Sequence, residues 1–103
     1  GPFFFGLASK FDEFEDKKNK KRKAATKVRI IRMRNVPFVD STGINNLRNI
    51  IDRNHRRGVK VILSGVNPDV QSTLHKFGID EKLSDGCIQP HIIPALRRAQ
   101  LFL

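Results

Sequence analysis

Tryptophan and tyrosine are both missing from these 103 residues, and with them goes the usual stacking platform for nucleic-acid bases. The eight phenylalanines sit in apolar runs instead of alternating with basic residues, so they do not form a base-stacking surface. No zinc-finger spacing, RNP-like motif or KH-type GxxG loop occurs, and no nucleic-acid partner is expected. Cysteine is almost absent too. The single Cys87 excludes an internal disulfide and fits a reducing compartment. With no histidine close to it in sequence, it is read as a buried structural thiol. There is no apolar run of about 18 residues, so no segment is expected to cross a membrane. The apolar start Gly1-Pro2-Phe3-Phe4-Phe5-Gly6 is short for a signal sequence and has no basic leader.

Signatures of catalysis are also lacking. The sequence holds no Walker loop, GxGxxG, HExxH or GxSxG. His55, His75 and His91 are far apart and fall on three different predicted helices or their edges. They are read as exposed or capping residues, which leaves no metal site. Asp40 beside Ser41 cannot act as a nucleophile–base pair without a histidine to complete the geometry. The expectation is a non-enzyme with no cofactor.

What is abundant is positive charge. Twenty Lys and Arg against ten Asp and Glu give a formal net charge of +10, which favours anionic partners. Much of it is concentrated in residues 17–27, where Lys17, Lys18, Lys20, Lys21, Arg22, Lys23 and Lys27 follow Asp12, Glu13, Glu15 and Asp16. This block reads as a solvated basic loop after a first helix, with anionic lipid or an acidic protein as alternative contacts.

The length suits one domain, residues 1–103, with a single core. Periodicity predicts a short strand at Phe3–Phe5 and a helix over 7–19, where Leu7, Phe11 and Phe14 share a face. Val28–Met33 reads as a strand buried on both faces, with Arg29, Arg32 and Arg34 near its ends or snorkelling. A helix with Ile44, Leu47, Ile50 and Ile51 on its apolar stripe follows, stopped by Gly58. The next strand is Val59–Ser64. Asn67-Pro68 then reads as a cap with proline at the first helical position, opening a helix with Val70, Leu74 and Phe77 inside. Cys87-Ile88 is expected to be a short last strand, and His91 to about Phe102 a last helix. The alternation implies an α/β fold: a mostly parallel sheet of about four strands with about four helices against it. The turn Asp40–Gly43 falls on the rim formed by the C-terminal strand ends.

That turn holds the residues of most interest. Ser41 has a hydroxyl where a strand-derived loop enters a helix, and unpaired N–H groups and the helix dipole there suit either a capping side chain or a phosphate on Ser41. Either Asp40 or Ser41 is read as the cap, with Thr42 in the first turn.

Val28–Gly43, Gly58–Val66 and Pro68–Gly78 together resemble the STAS domain shared by anti-sigma factor antagonists and the cytoplasmic ends of SulP-type anion transporters. Gly1–Gly6, Ile31–Asp40, Leu63-Ser64-Gly65-Val66 and Pro90-His91-Ile92 look like the transporter versions. The resemblance implies that Ser41 is the phosphorylatable switch position. We take Asp40, Ser41, Thr42, Gly43, Asn45, Asn46 and Arg48 as a partner-binding loop and helix face. It also implies that the family's first strand is absent from a chain beginning at Gly1, exposing a sheet edge to pairing with a second copy. The expected function is a cytoplasmic, non-catalytic regulatory domain of a SulP-type transporter for sulfate or a related anion. Its partners would be the transporter's membrane helices and cytosolic regulatory proteins, on the cytoplasmic side of a bacterial inner membrane. Two alternatives are a free-standing anti-sigma factor antagonist and a sensor binding a nucleotide or anion at a rim of Ser41, Gly65 and Asn67.

Overall fold

The computed structural model describes residues 27–103. The strand expected at Phe3–Phe5, the helix expected over 7–19 and nearly all of the basic segment 17–27 lie outside the described residues.

The β-branched run at the start of the described region forms β1, Val28–Arg32, and the matching run after Gly58 forms β2, Lys60–Ser64. They pair in parallel, with Val28 opposite Lys60 and Arg32 opposite Ser64. Between them runs α1, Ser41–Arg56, and after β2 come α2, Pro68–Lys76, a 3-10 turn at Asp80–Lys82, and α3, Ile92–Gln100. The third strand expected at Cys87-Ile88 is reduced to a single parallel bridge between Leu63 and Ile88. Gly86 before this segment and Pro90 after it leave little regular backbone to extend the ladder. The described residues therefore show an α/β fold on a parallel sheet, with two strands, one bridge and three α-helices.

Side-chain alternation divides the interior in two. On one face Ile31, Val61 and Leu63 pack with Ile44, Leu47, Ile50 and Ile51 of α1 and with Val70 and Leu74 of α2. On the other, Ile62 packs with Ala95 and Ala99 of α3 and with Cys87, flanked by the half-buried Val28 and Ile30. Burial on both faces is what the continuous apolar runs predicted.

Two side chains depart from expectation. Arg29 lies near the start of β1, as expected, yet it is buried there: it is 7% exposed, on the same face as Ile31. Its register partner is Val61, so the pleat turns it inward with its neighbours. Phe77, expected inside, is 42% exposed. It sits past the last turn of α2 as the C-cap, and Ile79, fully buried, occupies the core in its place. The Lys76 ammonium lies 5.9 Å from the Phe77 ring, a contact that suits a ring left at the surface.

Two glycines adopt left-handed backbone for different reasons. Gly58 (φ 75°) ends the turn after α1, and a Cβ there would meet nothing within 4 Å. Gly65 (φ 70°) follows β2, and a Cβ there would stand 2.7 Å from the backbone N and Cα of Arg34. Gly58→Ala should therefore cost about 1–2 kcal/mol from backbone strain alone. Gly65→Ala should cost about 3 kcal/mol or more, because a clash with main chain adds to that strain. Urea unfolding of the two variants measures the difference, and equal losses would contradict the close approach.

Candidate functional site

The loop from β1 to α1 carries the expected switch residues, and its conformation is set by hydrogen bonds at both ends. Met33 N–H donates to Ser64 O at 2.7 Å and Val36 N–H to Met33 O at 3.0 Å, which turns the chain directly after β1. At the far end Asp40, in extended backbone, is the N-cap of α1: its Oδ1 accepts from the Gly43 N–H at 2.8 Å. The sequence left Asp40 and Ser41 as alternative caps. Asp40 takes the role, since a carboxylate accepts more strongly than a hydroxyl and its charge suits the positive helix end. Ser41 and Thr42 then occupy the first two helical positions, both exposed, with Gly43 buried behind them.

The rest of the expected contact face follows along α1. Asn45 is exposed, and Asn46 and Arg48 are half-buried. Arg48 Nη2 donates to Phe77 O at 3.3 Å, tying this face to the end of α2. One residue of this surface was missed in sequence. Phe38, two residues before Asp40, is 68% exposed. Val36 and Val39 are buried while Pro37 and Phe38 between them are exposed, so the two valines anchor the stretch and leave Phe38 outward. The spacing Val36-x-x-Val39 was the available signal.

Of the three residues of the expected anion rim, Asn67 and Gly65 have defined surroundings in the structure. Asn67 is committed elsewhere: its Oδ1 accepts from Val70 N–H at 2.7 Å, capping α2, and its Nδ2 donates to Val36 O at 3.3 Å and Pro37 O at 3.4 Å. Gly65 lines a cleft with Arg32, Arg34, Ser64, Pro90, His91 and Ile92, whose walls include neither Ser41 nor Asn67.

The remaining reactive groups are not arranged for chemistry with one another. Cys87 is buried, and desolvation pushes its thiol pKa up, away from the nucleophilic thiolate. His75 Nδ1 and Asp80 Oδ2 meet at 2.7 Å on the surface. The carboxylate raises the histidine's pKa, and the same hydrogen bond lowers that of Asp80. His91 stands at the N-cap of α3, yet its side chain makes no capping hydrogen bond. Among the described residues no group of His, Cys, Asp and Glu could hold a metal ion, and no helix is long and apolar enough to cross a membrane.

A family model for the STAS domain matches residues 1–99 of the chain. The chain belongs to the STAS domain family. This STAS domain is similar to a crystal structure of a sulfate transporter family protein from Wolinella succinogenes. The two are 35% identical, with a TM-score of 0.77, over 99% of this chain and 80% of the other. It is also similar to the STAS domain of a SulP transporter from Vibrio cholerae, at 33% identity and a TM-score of 0.77, over 96% of this chain and 74% of that one. No curated protein matches. The Asp40–Gly43 turn, in which the resemblance places the switch position, is thus the start of α1 in a STAS domain.

Because Asp40 caps and Ser41 does not, the two residues should differ in their effect on stability. Asp40→Ala is expected to cost about 1 kcal/mol, and Ser41→Ala to stay within about 0.5 kcal/mol of the parent. Urea midpoints at neutral pH measure both, and a larger loss for Ser41→Ala would return the cap to the hydroxyl.

Proposed function

We propose that this STAS domain is the cytoplasmic regulatory domain of a SulP-type anion transporter, non-catalytic itself and working through protein contacts at the start of α1. The observation that carries the reading is the surface there. Phe38, Ser41, Thr42 and Asn45 are all exposed on one short stretch of loop and helix, and Asp40 has already satisfied the Gly43 N–H. An aromatic side chain beside free hydroxyls is an anchor of the kind that dominates protein interfaces. The likeness to STAS domains of sulfate transporter and SulP proteins supplies the transporter context.

Ser41 is the switch within this surface. Phosphorylation would add about −1.5 to −2 charge at the first helical position. The helix end favours that charge, but the Asp40 carboxylate beside it repels it. The new phosphate and Asp40 would compete for the same N–H groups, which reshapes the turn that presents Phe38. Partners on this reading are the transporter's membrane helices and a cytosolic regulator, with anionic lipid available to the basic segment 17–27.

The test is anion uptake by the full-length transporter together with mass spectrometry of the native protein. A phosphopeptide containing Ser41 is expected. Ser41→Asp should change the uptake rate severalfold, and Ser41→Ala should leave the unstimulated rate near that of the parent. No modification, with Ser41→Asp indistinguishable from the parent, would overturn the switch.

A further inference from the structure

We propose that the outer face of α3 docks on a lipid bilayer that carries anionic headgroups. The helix packs on the sheet through its small residues and turns its large ones outward. Ala95 and Ala99 are buried with Ile62 and Cys87, while Ile93 and Leu96 are 55% and 47% exposed. Ile93, Leu96, Arg97 and Gln100 follow the spacing i, i+3, i+4 and i+7, which puts all four on one side of the helix. Together they line a groove of about 390 Å³.

The longer helix α1 is built the other way. Every exposed position along it is polar or charged, from Ser41 and Thr42 through Asn45 and Asn49 to Arg53 and Arg56. Six large apolar side chains are exposed among the described residues, and four of them, Ile93, Leu96, Leu101 and Leu103, fall in this last stretch. Their exposure is thus a patch and not scatter, and a patch marks a contact surface.

Charge decides what covers it. From Cys87 to Leu103 there is no Asp or Glu, and the charged groups are Arg97 and Arg98. Arg97 lies in the apolar strip itself. Past the helix end the Lys60 ammonium sits 5.3 Å from the Phe102 ring, so another cation flanks the patch. A second copy docking symmetrically would bring the same cations together with no acid on the face to pair with them. An anionic bilayer is complementary on both counts. The aliphatic side chains enter the boundary between headgroups and acyl chains, and the guanidinium groups stay among the phosphates. The patch shares no residue with the turn at the start of α1, so vesicle binding can be measured whether or not the role proposed for Ser41 holds.

The chain has no tryptophan, so Leu96→Trp puts a single fluorophore in the strip. Asn49→Trp, at an exposed position of α1, is the control. Each is titrated with vesicles of phosphatidylglycerol and phosphatidylcholine in equal parts. Leu96→Trp emission is expected to shift to the blue and to be quenched by lipids brominated in the acyl chain, and Asn49→Trp emission to do neither. In co-sedimentation, Ile93→Ser should lower the partition coefficient about tenfold, the effect of one aliphatic side chain. Arg97→Gln should lower it about fivefold. The proposal fails if the chain does not sediment with the vesicles or if Ile93→Ser binds like the parent. Sedimentation with unchanged Leu96→Trp emission would also overturn it and assign the contact to the basic segment 17–27. So would emission already shifted to the blue before lipid is added. A shift that grows with protein concentration would then give the strip to a second copy, and a constant one to residues 1–26 of the same chain.

Discussion

Gly65 has the Arg34 backbone where a side chain would stand, 2.7 Å from the position of a Cβ, and this approach brings the loops after β1 and β2 together. Two residues on, Asn67 spans the same junction from the other side. Its oxygen caps α2 and its amide nitrogen reaches the carbonyls of Val36 and Pro37. The chain leaving β1 is therefore fixed by the chain leaving β2 before it reaches Asp40. Everything proposed for the start of α1 depends on that arrangement, because it decides which of residues 36–41 face the core and which face out.

The same junction separates two kinds of chemistry. On the α1 side, Asp40 satisfies the helix end, so Ser41 and Thr42 are presented without a structural task. A hydroxyl that holds nothing in place can be modified without first breaking the fold, as a regulatory position requires. On the α3 side, Arg32, Arg34, Ser64 and Gly65 line a cleft with Pro90, His91 and Ile92. One C-terminal sheet edge thus carries both the turn proposed for protein contact and this cleft, as expected where parallel strands end together.

Much of this was legible in the residues. The runs at 28–32 and 60–64 are β-branched and apolar, and Asn67-Pro68 and Gly58 are strong local signals, so strands and helix ends fall close to where they were expected. Local signals were weaker where a tertiary neighbour decided the outcome. Cys87-Ile88 has strand composition, yet it pairs only as a bridge because Gly86 and Pro90 bracket it. Arg29 lies near a strand end as its charge suggests, but the pleat pairs it with Val61 and buries it. Phe77 completes a helical stripe on paper, while the turn after α2 gives its core place to Ile79. The cleft could not be read at all, since its walls come from three segments far apart in sequence. Ser41 as a cap was a competition between adjacent acceptors, and the charged one prevailed.

The most direct measurement is amide hydrogen exchange at Gly43 and Val70 in the parent and in Asn67→Ala. If the β2–α2 junction fixes the loop before α1, losing the Asn67 side chain accelerates exchange at both amides, including Gly43, which Asn67 does not touch. Acceleration at Val70 alone, with Gly43 unchanged, would mean that the loop and its Asp40 cap hold themselves, and would contradict the account.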